Sequence, residues 1–138
     1  MPNFSRGSNI KLGTCHPKLQ RLFREVIKEV DCTVVWGFRG EEIQNGLFEE
    51  GFSEKEWPDS KHNQLPALAI DVAPYIKGKG VVWEPRQCYY FAGYVMAVAE
   101  RLGIKIICGA DWDKDFDVND QSLRDICHFQ IEKDNCHD

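Results

Sequence analysis

The stretch Ser60-Lys61-His62-Asn63-Gln64-Leu65-Pro66-Ala67-Leu68-Ala69-Ile70-Asp71 places a histidine and an aspartate near the two ends of a proline-containing connection. The aspartate sits inside the apolar run Leu68-Ala69-Ile70-Asp71-Val72-Ala73, which reads as a buried strand. A carboxylate in such a strand needs a partner. Alternate residues of a strand share a face, so Asp71 projects with Ala69 and Ala73, and Leu68, Ile70 and Val72 project the other way. The small neighbours leave room for an ion.

A matching half lies near the end of the chain, in Asp125-Ile126-Cys127-His128-Phe129-Gln130-Ile131. His128 opens a second short apolar strand, with Asp125 three residues before it. Two histidines and one carboxylate make an open zinc site. Each residue also has a plainer reading. Either histidine alone is a loop or core residue, Asp71 is a buried salt-bridge partner of Arg39, and Asp125 is a helix or turn cap.

Working back toward the start, Pro17 stands at the first position of a helix whose apolar residues Leu19, Leu22, Phe23, Val26, Ile27 and Val30 follow helical spacing. Residues 1–15 have no clear period, and Asn9-Ile10-Lys11-Leu12 fits a short strand or a helical turn. Cys32-Thr33-Val34-Val35-Trp36-Gly37 is a strand, which delivers Arg39 into the loop at its carboxyl end. A short helix runs from Glu41 to Phe48 or Glu50, and a loop leads on to the histidine stretch. Loops of this kind carry sites.

Beyond Asp71, Pro74 and Gly78-Lys79-Gly80 mark a turn. A helix starts near Arg86 and stops at Gly103, and Ile104-Lys105-Ile106-Ile107-Cys108 is a strand. The order of elements predicts an α+β domain, with a small antiparallel or mixed central sheet flanked by helices and the zinc site on the sheet.

The 138 residues suffice for one domain with a core, expected over 4–131 with a charged tail at 132–138. A formal charge of -5 without a basic stripe argues against nucleic acid, and no apolar run approaches the length of a membrane span. The first residues lack the apolar core of a secretory signal, so synthesis in the cytoplasm is expected. The six cysteines form no Cys-x-x-Cys pair and are read as reduced packing thiols. In Asp111-Trp112-Asp113-Lys114-Asp115-Phe116-Asp117, carboxylates alternate as in a calcium loop, with Asp113, Asp115 and Asp117 as candidate ligands. The glycine and terminal glutamate of an EF-hand are missing, and a solvated acidic loop is the plainer reading.

Taken together, these residues resemble the zinc D-alanyl-D-alanine carboxypeptidases and their phage relatives, the L-alanyl-D-glutamate endolysins, from about Phe4 to Ile131. The resemblance rests on Ser60-Lys61-His62, Ala69-Ile70-Asp71 and Asp125-Ile126-Cys127-His128. It is supported by His16-Pro17-Lys18-Leu19, Gly37-Phe38-Arg39 and Gly109-Ala110-Asp111-Trp112. It implies that His62, Asp71 and His128 bind zinc, that Asp125 is the catalytic acid and base, and that Arg39 contacts substrate. Arg39 as a structural ion-pair residue stays open, as does Ser60 between a site hydrogen bond and a turn.

Aspartate at 125 is similar to the endolysins more than to the dipeptidases of vancomycin resistance. Two features depart from the pattern: His62 and Asp71 are nine apart around Leu65-Pro66, and Gln130 stands where glutamate is common. The implied function is a monomeric zinc peptidase of phage or prophage type that cuts the L-Ala-D-Glu bond of peptidoglycan stem peptides, acting on the wall after release. A D-Ala-D-Ala carboxypeptidase is the alternative among enzymes. A zinc-containing binding module, as in the similar Hedgehog signalling domain, is the alternative outside them.

Overall fold

The computed structural model describes residues 2–120 and 125–132. Helix α1 (Arg6–Leu12) and helix α2 (Pro17–Glu29) precede strand β1 (Cys32–Trp36), and helix α3 (Glu41–Glu49) follows it. A single 3-10 turn at Lys61–Asn63 leads to β2 (Ala69–Ile76) and β3 (Gly80–Val81). Helix α4 (Pro85–Leu102), β4 (Ile106–Gly109), a 3-10 turn at Val118–Asp120 and β5 (Asp125–Ile131) complete the order. The sheet runs β1-β2-β5-β4, with β3 against β2, and every named strand pair is antiparallel.

The long helices follow from local chemistry. Pro17 stands at the start of α2, where its missing N–H costs nothing, and the His16 ring accepts from Lys18 N as the cap. His16 is thus the residue that starts this helix. Glu84 caps α4, and Gly103 closes it in the left-handed region at φ 70°. Residues 1–15 contain a helix, α1, capped by Ser5 accepting from Ser8 N.

The apolar stripe of α2 (Leu19, Leu22, Phe23, Val26) meets Ile70, Val72 and Phe129 of the sheet and Phe91 and Val95 of α4 in one core. Phe23 and Phe129 cross edge to face, with centroids 5.4 Å apart. Core and site therefore use opposite faces of the central strands, as the alternation around Asp71 requires. The turn expected at Pro74 lies later, because β2 continues to Ile76, with Pro74 opposite Cys32. Cys15, Cys32, Cys88, Cys108 and Cys127 are free and buried, and Cys127 packs with Ala73 and Cys88. Burial pushes the Cys32 thiol up to about 12 and the Cys15 thiol up to about 11, the state of inert packing residues. Cys136, His137 and the rest of the tail beyond 132 lie outside the described residues.

Candidate metal centre

Asp71 of β2 and His128 of β5 are direct cross-strand partners, so their side chains leave the same face side by side. His128 Nδ1 lies 3.1 Å from Asp71 Oδ1. His62 comes from the 3-10 turn, where Ser60 Oγ accepts from His62 N at 3.2 Å and Asn63 Oδ1 accepts from Ser60 N at 3.0 Å. Ser60 is therefore a turn former, and through that role it places the histidine. His62 Nε2 stands 3.4 Å from Asp71 Oδ2.

The free nitrogen on each ring is fixed by what the other nitrogen does. Gly37 O can only accept, so His62 Nδ1 donates to it at 2.8 Å and Nε2 keeps its lone pair. His128 Nε2 donates to Gln130 Oε1 at 2.8 Å, which leaves Nδ1 facing Asp71. Ala69, opposite Gln130 in the register, has too small a side chain to obstruct that bond.

The facing atoms of His62, Asp71 and His128 all lie within 4.8 Å of one another. His62 Nε2 is fully buried and has no hydrogen-bond partner among the described residues. Such an orphaned acceptor beside a carboxylate suits a cation. Zinc ligands at about 2.0–2.1 Å from the metal stand roughly 3.3 Å from one another, the scale of the separations here. Burial alone would raise the Asp71 carboxyl, but hydrogen bonds and charge from His128 and His62 hold it well below the usual carboxylate range.

Asp125 Oδ2 lies 3.6 Å from His128 Nδ1, with 53% of its side chain exposed. Asp125 is the first residue of β5 and caps no helix among the described residues. Burial on its inner side and the Asp71 charge raise its carboxyl, while His128, His62 and Arg39 pull the other way. Regular alternation would put residues 125 and 128 on opposite faces. A register shift prevents this: Cys108 pairs with Phe129, yet the next residue, Gly109, pairs with Asp125.

Arg39 is 8% exposed and makes no ion pair among the described residues, and its Nε has no partner there. The Asp71–Arg39 salt bridge is thus replaced by the two histidine contacts. The guanidinium stacks 5.8 Å from the Trp36 ring and lines a cleft of about 420 Å³ with Asp71, Asp125, His128 and Trp112. Burial lowers the Arg39 pKa, opposed by Asp71 and Asp125.

Several contributors gave no sequence signal of their own: the Gly37 carbonyl, Asn63, Gln44, Trp36 and Lys61. His62 reaches Gly37 O across 25 positions, and Asn63 reaches Gln44 across 19. In the acidic loop the carboxylates that converge are Asp111, Asp113 and Asp115; Asp117 is replaced in the set by Asp111. Asp117 Oδ1 instead accepts from Asn119 N at 2.9 Å.

The fold and this donor set define a hydrolase with room for one metal ion at the bottom of an open cleft. The chain belongs to the phage L-alanyl-D-glutamate peptidase family, whose model matches residues 2–131. It is 33% identical over 126 residues to the L-alanyl-D-glutamate peptidase of Escherichia phage T5, covering 88% of this chain and 89% of that one. It is also similar to the crystal structure of the Serratia marcescens L-Ala D-Glu endopeptidase ChiX. That match has a TM-score of 0.74 and 27% identity, and covers 94% of this chain and 90% of that one.

Proposed function

We propose that this chain is a zinc peptidase that hydrolyses the L-Ala-D-Glu bond of peptidoglycan stem peptides, as a phage or prophage endolysin. The observation that carries it is the convergence of His62 Nε2, Asp71 and His128 Nδ1 on one point beside Asp125, in a member of this family. The names of both relatives favour the endopeptidase over the carboxypeptidase. The retained Asp125 and Arg39 favour an enzyme over a binding module.

Zinc held by His62, Asp71 and His128 would polarise the scissile carbonyl and acidify a water molecule. Asp125 would take a proton from an attacking water in the cleft and deliver it to the leaving amine. Its carboxylate is placed for this, close to the histidine donor yet open to the cleft. Arg39 presents its planar fork to a substrate carboxylate or to charge developing on the carbonyl oxygen. Gln130 and Gly37 hold the two rings so that no reorientation accompanies the reaction. Residues 1–138 act in this reading as one catalytic domain and as a monomer, made in the cytoplasm and reaching the wall after release. No helix among the described residues is long and apolar enough to cross a membrane. Calcium at Asp111, Asp113 and Asp115 is a secondary part of the proposal, supported by the spacing of their carboxylates.

The test is to incubate zinc-loaded protein and its Asp125→Ala variant with purified peptidoglycan and weigh the released fragments by mass spectrometry. New amino termini at D-Glu from the parent are expected. The variant should lose about 10²–10⁴-fold in rate while still binding zinc. Release of terminal D-Ala, or no release by folded zinc-bound protein, would reject the proposal.

A further inference from the structure

Gln44 of α3 is fully buried, and a buried amide needs a partner for each of its polar atoms. Its Oε1 accepts from Asn63 Nδ2 at 3.1 Å, while its Nε2 donates to Ser53 Oγ at 2.9 Å and to Lys55 O at 2.6 Å. The same Asn63 Nδ2 donates to Arg39 O at 3.1 Å. One side chain thus joins the turn that carries His62 to the segment 52–55, a wall of the same cleft. Ser53 tightens the joint, because its Oγ accepts from Lys55 N and donates to Lys55 O, both at 3.1 Å.

This wall carries Lys55 beside Glu54, and no ion pair joins the two. Lys55 and Lys61 line the cleft with Arg39, and neither ammonium has a carboxylate within 4.0 Å among the described residues. The deep anionic group of the cleft, Asp71, is engaged by the two histidines, and Asp125 stands beside them. A peptide that brings its own carboxylate next to the scissile bond would supply the direct partner that these two ammonium groups lack among the described residues.

We infer that Lys55 and Lys61 form a subsite for a carboxylate of the stem peptide, with Gln44 as the residue that positions it. The inference rests on the peptidase reading above, which supplies the substrate. Gln44 touches no substrate atom; it acts by holding Lys55 at a set distance from His62.

The experiment uses two soluble stem peptides that differ only in whether the glutamyl carboxylate beside the scissile bond is free or amidated. For the Lys55→Gln/Lys61→Gln double variant, KM for the free-carboxylate peptide should rise about tenfold, the scale of one charge-assisted hydrogen bond. Its kcat should stay within about twofold, and its KM for the amidated peptide should change far less than for the free one. Gln44→Met should show the same selectivity loss, and Ser53→Ala reports on the same joint if that variant does not fold. An equal loss on both peptides, or no loss on either, overturns the subsite while leaving the peptidase reading intact. Failure of the parent protein to cleave either peptide overturns both.

Discussion

Gln130 decides which nitrogen of His128 faces the aspartate, and that decision could not be taken from the spacing of ligands along the chain. The residue types themselves were legible: two histidines, a carboxylate in an apolar strand, and an acid three residues before the second histidine. What spacing leaves open is the hydrogen bond behind each ring. In one case that bond is to a backbone carbonyl 25 positions away, at Gly37. Gln130 stands where glutamate is common, and its Oε1 accepts from His128 Nε2 at 2.8 Å. A neutral amide still orients the ring, although it donates less electron density than a carboxylate would. Gln130→Leu should therefore lower zinc affinity about 10–100-fold with the fold intact, as measured by competition against a chromophoric chelator. Unchanged affinity would mean that Asp71 and the surrounding packing orient His128 unaided.

Among the elements, those with a strong period or a cap were legible, and those set by contacts with another strand were not. Helices α2 and α4 announced themselves through apolar spacing and through Pro17 and Gly103. Helix α1 did not, since over seven residues it buries only Ser8 and Leu12 and leaves Ile10 63% exposed. The nine-residue interval from His62 to Asp71 is taken up in the loop around Pro66, where Ala67 N donates to Thr14 O and His16 N donates to Ala67 O. Asp71 accordingly keeps the face that alternation gave it.

The shift between β4 and β5 left no sequence mark except a glycine. A Cβ on Gly109 would sit 1.7 Å from Asp125 O, a clash with backbone that no rotamer relieves. Gly109→Ala should therefore cost about 3 kcal/mol in urea unfolding and displace Asp125 from the metal site. The activity lost should exceed what the fraction unfolded explains. A variant with parental stability and rate would show that the shifted register is not needed to present Asp125.

For the molecule as a whole, the proposed metal centre couples folding to pH, and the sign of the coupling depends on whether a metal is bound. Burial lowers the His128 pKa, but the Asp71 hydrogen bond and charge, with Asp125, outweigh it and leave the folded value above the ordinary one. In metal-free protein the His128–Asp71 pair thus adds stability that is complete below the unfolded histidine value of about 6.5 and is lost as pH rises through the folded value. Asp71 is shifted the other way, so its share is present above the unfolded value of about 3.9 and is lost as pH falls toward the folded one. The metal-free pair is therefore most stabilising between about pH 4 and 6.5. Zinc held as proposed would compete with the proton for the lone pair on His128 Nδ1, so its contribution would grow as pH rises across the range in which the metal-free pair fails. The gap in Tm between zinc-loaded and chelator-stripped protein should consequently widen from pH 5.5 to pH 8, as read by thermal unfolding at fixed free zinc. His128→Gln, which carries no titrating ring, should flatten both the gap and its slope. A gap independent of pH in the parent protein would mean that His128 is not the residue at which proton and metal compete, and the ligand set would have to be sought elsewhere in the cleft.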